Sequence, residues 1–197
     1  AEVDHPYDDE PADTGTTTAS TTFPDVPANA PYAEAVRTLN ELGVITGDDR
    51  GNFNPNKTIT RAEAVTIICR MLGVADEAKG MAADSFSDVS NGHWASGYIA
   101  KAVELGIVGG YGNGKFGPSD PVTYEQMVKM LVCAWGYNDE ARERGGYPNG
   151  YIAIASDLEL LTNMQNISNR AAPRADVALL ASRILQAPIG QVGDADK

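Results

Sequence analysis

A chain of 197 residues that is 43% hydrophobic and carries a formal net charge of −12 can bury one substantial core, or build one compact domain from repeats. Such an acidic chain repels nucleic acid and anionic lipid at long range, which excludes nucleic acid as a partner and requires any anionic ligand to be held by a local positive site. No run of about 18 apolar residues is present, so no membrane insertion is expected.

Residues 1–22 are polar, rich in Thr, Asp and Pro, and lack a periodic apolar face; they read as a flexible leader. The chain starts with neither a basic nor an apolar signal region, and reads as a secreted chain whose signal peptide has been removed. A first helix is predicted over 32–42, with Ala35, Val36, Leu39 and Leu42 on one face and Gly43 as its stop. The loop 47–57 is built of turn formers, Gly47, Gly51, Asn52, Asn54 and Pro55, with Phe53 as a plug that packs the loop back onto the helices. Within it, 47–52 fails the calcium-loop spacing. A second helix is predicted from after Thr60 to Leu72. Its wide apolar face, from Ala64 to Leu72, needs burial on several sides.

The chain then repeats itself. Phe23-Pro24-Asp25-Val26 returns 63 residues later as Phe86-Ser87-Asp88-Val89, and the same offset carries Gly47 onto Gly110, Phe53 onto Phe116 and Thr60 onto Thr123 without a gap. A weaker third copy follows: Tyr98-Ile99-Ala100 returns as Tyr151-Ile152-Ala153, and the helix after Thr60 corresponds to one after Pro173. The units are placed at 23–79, 80–140 and 141–187, with 188–197 as a tail or linker. One helix pair cannot bury its apolar face alone; three can, with their second helices around a common axis. The prediction is an all-α, pseudo-threefold domain of three helix-loop-helix repeats.

The motif at the start of the second helix divides into two parts. Thr60 with Glu63, and Thr123 with Gln126, have the form of capping boxes. Arg61 is not explained by capping, because a cation at the first helical position is disfavoured by roughly 0.3–1 kcal/mol. With free N–H groups at the helix start, its guanidinium would make a carboxylate pocket; the alternatives are a solvated arginine or a salt bridge to a neighbouring repeat. On the pocket reading, Arg61→Ala should leave stability unchanged or slightly raised. Arg174 holds the equivalent place in the third copy and Tyr124 in the second, so a groove at Tyr124 should be weaker or differently specific. No metal or cofactor is expected: the only histidines are His5 and His93, and Cys69 and Cys133 lie in apolar helical patterns as buried free thiols.

Phe23-Pro24-Asp25-Val26, then Leu42-Gly43-Val44-Ile45-Thr46-Gly47, Asn52-Phe53-Asn54-Pro55 and Ile59-Thr60-Arg61-Ala62-Glu63 resemble the S-layer-homology family. His93-Trp94-Ala95 and Phe116-Gly117-Pro118 of the second unit match as well, and Val122-Thr123-Tyr124-Glu125-Gln126 is similar to a clostridia-like variant. The resemblance covers roughly 23–187. It implies a three-pronged spindle around a central three-helix bundle. The grooves between prongs would bind a secondary cell-wall polysaccharide, in many members through a pyruvylated amino sugar. The implied function is non-covalent anchoring of a secreted protein to the wall of a Gram-positive bacterium, at the cell surface, by a monomeric module of a larger protein. The alternative is a surface-lattice subunit assembling through protein contacts. An enzyme is not expected, since no paired carboxylates or nucleophile set is assembled.

The candidate ligand contacts are Arg61, Arg174, Trp94, Asp25, Asp88, Gly47, Gly110, Tyr124 and Tyr147. Trp94 would lie flat on a sugar ring or anchor the core; Tyr147 is its counterpart in the third copy. Asp25 and Asp88 would cap the first helices, while the resemblance places them near the groove. Gly47 and Gly110 would admit a ligand close to the backbone, or only turn the chain.

Overall fold

The computed structural model describes residues 23–190; the leader read at 1–22, with His5, and all but the first residues of the tail lie outside them. Eight helices follow in order: α1 (Ala33–Glu41), α2 (Arg61–Met71), α3 (Ala75–Ala78), α4 (Ser96–Glu104), α5 (Tyr124–Ala134), α6 (Asn138–Glu143), α7 (Asn149–Asp157) and α8 (Arg174–Leu185). Among the described residues there is no strand, only three isolated bridges, and the chain is all-α. No helix there is long and apolar enough to cross a membrane.

Local chemistry sets the helix ends. Both capping boxes form: the Thr60 hydroxyl accepts from Glu63 N–H at 3.2 Å while Glu63 Oε1 accepts from Thr60 N–H at 3.0 Å. Thr123 and Gln126 repeat the exchange at 3.2 and 3.1 Å. Helix α8 starts instead after Pro173, with no side-chain cap. At the other end of α1, Gly43 turns left-handed at φ +70°, and the N–H groups of Val44 and Ile45 fold back onto the Leu39 carbonyl. That turn sends Val44 and Ile45 into the core and leaves Leu42 outside, 60% exposed. The expected inward face of α1 is therefore Ala35, Val36 and Leu39 alone.

The second helices are the interior. Every residue of α2 from Arg61 to Cys69 is buried, and α5 touches both α2 and α8. The first helix of each repeat packs on the second helix of the repeat before it: α4 on α2, α7 on α5, and α1 on α8, which closes the series on itself. The segments leading into α2, α5 and α8 are bridged in the same cyclic sense, Thr60 to Pro121, Thr123 to Ala171, and Thr58 to Pro173. Apolar burial spread over all three repeats thus forms one core, including Phe53, Phe116, Ile68, Ile99, Leu131 and Ile154.

Two features were not foreseen. Short helices α3 and α6 follow α2 and α5, and each lays a carbonyl against a glycine: Ala78 O against Gly97 at the start of α4, Ala141 O against Gly150 at the start of α7. The cysteines also differ. Cys69 is fully buried, its thiol pushed up to about 11 by burial. Cys133 is only half-buried.

Candidate functional site

The first inter-helix loop is tied together from within. Asp48 accepts from the N–H groups of Arg50 and Asn52, at 3.0 and 2.8 Å, and from the Asn54 side chain at 2.9 Å. The Asn54 bond, with those of the backbone, holds its carboxyl below the usual range. Phe53 is the predicted plug, fully buried and 5.6 Å from the Phe23 ring; Phe116 repeats this 5.4 Å from Phe86.

Asp25 and Asp88 hold these plugs and do not cap the first helices, whose N-caps carry no side-chain bond. The two oxygens of Asp25 accept from Phe53 N–H (2.8 Å) and Asn54 N–H (2.7 Å); those of Asp88 accept from Phe116 and Gly117 N–H, both at 2.9 Å. Burial alone would raise the Asp88 carboxyl, but the two donors prevail and hold it below its ordinary value. A depressed carboxyl contributes stability that is present above the unfolded pKa, near 4, and lost as pH falls through the folded value. Asp88→Asn puts an amide NH2 against an N–H donor. It is expected to cost about 1.5–3 kcal/mol at pH 7 and to flatten the fall of the melting temperature below about pH 4, as thermal melts across pH would measure.

Gly47 and Gly110 have a packing reason. A Cβ on Gly47 would come within 2.6 Å of Phe23 Cε1, and one on Gly110 within 2.5 Å of Phe86 Cε1. What comes close to these backbones is the aromatic partner of the plug.

The arginines reach across repeats. Arg61 is 4% exposed; its Nε donates to Phe116 O (3.0 Å) and its Nη2 to Gly109 O (3.1 Å), with the guanidinium 4.7 Å from the Phe116 ring centre and 4.8 Å from that of Tyr111. Arg174, also 4% exposed, does the same to the first repeat, donating to Phe53 O and Thr46 O at 2.8 Å each and lying 4.7 Å from the Phe53 ring. Neither is solvated. The helix-start N–H groups expected to be free are also taken: Arg61 N–H goes to Asp120 O and Ala62 N–H to Pro118 O, Arg174 N–H to Lys57 O and Ala175 N–H to Pro55 O. A carboxylate cannot use them, because the next loop supplies carbonyls to those donors. Arg61 links two repeats through carbonyls, so it is neither solvated nor held by the expected salt bridge.

Two equivalent grooves result. One brings together Arg174, Glu63, Thr66, Arg70 and Trp94 in a cavity of about 30 Å³. The other brings together Arg61, Tyr111, Gln126, Lys129 and Tyr147, with Gly109 and Gly110 as its floor, in about 190 Å³. Trp94 is half-buried against the core and stacks on His93 at 5.8 Å; Tyr147 is 49% exposed. Tyr124 stands apart from both. Its ring is 2% exposed, its hydroxyl donates to Asp176 Oδ2, and Arg170 lies 5.0 Å above it. Burial first, and Asp176 second, push that hydroxyl up to about 12. The sequence reading missed Tyr111, Lys129, Glu63 and Gln126 as groove residues. Lys129 could have been found as the charge interrupting the apolar face of α5. Among the described residues no His, Cys, Asp and Glu group is placed to hold a metal ion.

With this geometry in place, comparison finds a family match. Residues 22–65 and 85–128 each match the family model of the S-layer homology domain; the third repeat rests on the offsets and the structure. The chain is 37% identical over 173 residues to a cell surface protein of Thermoanaerobacter kivui, covering 87% of this chain and 22% of that protein. It is 33% identical over 169 residues to the middle cell wall protein of Brevibacillus brevis, covering 85% and 16%. An endoglucanase of a Bacillus species is 36% identical over 115 residues, 58% of this chain and 12% of the enzyme. The chain thus spans about a fifth or less of the length of these relatives.

Proposed function

We propose that this chain is the wall-anchoring module of a longer surface protein, a monomeric three-pronged unit that binds secondary cell-wall polysaccharide in the grooves at Arg61 and Arg174. One observation carries the reading most directly: the same groove is built twice, each with a buried arginine from one repeat, a loop from the next and an aromatic side chain at the rim. An aromatic face beside a guanidinium suits a sugar ring that bears a carboxylate, as a pyruvylated amino sugar does. The similarity supports an attachment role, because the matching segment is a minor share both of proteins named for the cell surface or wall and of an endoglucanase. A segment shared by proteins with such different names fits a portable anchor at the extracellular surface.

The test is co-sedimentation with Gram-positive walls before and after extraction of the secondary polymer. The protein is expected to pellet with intact walls and to stay in solution with extracted ones. Equal pelleting with both would overturn the reading. Solution mass that rises with concentration, without polymer, would favour the lattice subunit instead.

A further inference from the structure

Trp94 borders two cavities. One is the Arg174 groove, where Glu63, Thr66 and Arg70 follow one another at successive turns of α2, over about 10 Å. The other, of about 210 Å³, has Lys79 and Met81 from the chain after α3, Asn91 and His93 from the chain before α4, and Ser96 as the first residue of α4. Trp94 is the residue the two linings share.

The second cavity follows from the length of one connection. The chain from α3 to α4 runs over 79–95, whereas that from α6 to α7 runs only over 144–148. Lys79, Met81, Asn91, His93 and Trp94 all belong to the longer connection. In the shorter one, Tyr147 is preceded by Gly145 and Gly146, which have no side chains to wall a cavity.

The polar groups of this cavity suit an uncharged sugar. Lys79 already faces Asp76 at 3.8 Å, so its charge is balanced. His93 Nδ1 accepts from Ala95 N–H at 3.0 Å, which makes Nε2 the N–H of the neutral ring. That ring lies 5.8 Å from the Trp94 ring with 27° between the planes, and together they form an aromatic platform. Ser96 is 3% exposed, and its Oγ accepts from Ala83 N–H at 2.9 Å. Among the described residues its O–H meets no acceptor. A buried hydroxyl hydrogen at a cavity wall calls for an oxygen from water or from a ligand.

We propose that this cavity is a second carbohydrate subsite, holding an uncharged sugar unit next to the one in the Arg174 groove, with Trp94 between them. The Arg174 groove then reads two consecutive units of the polymer, and the Arg61 groove one. The inference rests on the anchoring reading and deepens it. Hydroxyl and acetamide oxygens of the second unit accept from Lys79, Asn91, His93 Nε2 and Ser96, and its ring lies against the aromatic platform.

The probes are fragments of the secondary wall polysaccharide, cut by mild acid hydrolysis and sorted into single end units and pieces of three units. Each is titrated into wild-type protein and into Lys79→Ala with Asn91→Ala. Both residues are exposed and neither lines the Arg174 groove, so the melting temperature is expected to stay unchanged. The wild type should bind the three-unit pieces roughly tenfold or more tighter than single units, the gain of two or more hydrogen bonds. The double variant should lose that gain and bind single units as the wild type does. A gain that survives in the double variant overturns the inference while the anchoring reading stands. So does a wild type that binds both lengths equally, or a variant that loses single units and longer pieces alike. A wild type that binds neither removes the anchoring reading itself, and this inference with it.

Discussion

Arg61→Ala is expected to lower the stability of the domain by about 3 kcal/mol and to abolish most binding at its groove. The sequence alone suggests the reverse for stability, because a cation at a helix start opposes the helix dipole, and removing it returns about 0.3–1 kcal/mol. The structure adds larger contributions of the opposite sign. Two charge-assisted bonds to the carbonyls of Phe116 and Gly109 are lost, each contributing about 1.5–3 kcal/mol, and those carbonyls are left in a site where the arginine was 4% exposed. Burial also pulls the guanidinium below its ordinary pKa, but its charge is kept, since arginine stays protonated in proteins. For a domain of this size the melting temperature should fall by roughly 6–12 °C. Arg61→Lys should lie between, because an ammonium is a point charge without the planar fork that spans two acceptors. An unchanged melting temperature for Arg61→Ala would show that the second repeat's loop does not depend on this side chain.

Gly97→Ala is expected to destabilise by about 2–3 kcal/mol, although alanine is the better helix former by about 1 kcal/mol. A Cβ at Gly97 would stand 2.0 Å from Ala78 O and 2.9 Å from Ala78 C. Those are backbone atoms of α3 and cannot rotate aside, so α3 and α4 must separate, at the overpacking costs seen when cores receive extra methylenes. Gly150→Ala should behave alike, with Ala141 O at 1.9 Å. Gly92→Ala, where nothing lies within 4 Å, is the control and should be near neutral. Denaturant melts of the three variants decide it; a neutral Gly97→Ala would mean that the α3–α4 contact is loose.

The sequence made the repeats legible because their glycines and plug phenylalanines recur at a fixed offset, and it made the caps legible because a capping box is a local pattern. Leu42 was misplaced for a local reason that periodicity does not carry: the left-handed turn at Gly43 ends the helical face one residue earlier. The inter-repeat contacts of Arg61 were not legible for a non-local reason. Helix position gives the dipole cost, but the carbonyls that offset it belong to residues 48 and 55 positions away. For Asp25 and Asp88 the capping role is not the one taken, because their partners lie 28 and 29 residues on, beyond the reach of a local pattern. Lys129 was passed over because it looks ordinary within its own helix, and Gln126 was read only as half of a capping box; their place in a groove depends on the loop of 107–111 and on Tyr147.

The pairing of α1 with α8, α4 with α2 and α7 with α5 puts the unit of sequence and the unit of packing half a step out of phase. In an open solenoid a repeat can be added or lost at little cost, because each touches only its neighbours. Here, excising the middle repeat would take α4 from α2 and α5 from α7, and would remove the carbonyls that hold Arg61. A duplicated repeat would have no place in the closed circuit. The number of repeats is therefore not a quantity that drift can adjust one step at a time, and the domain can multiply only as a whole set of three.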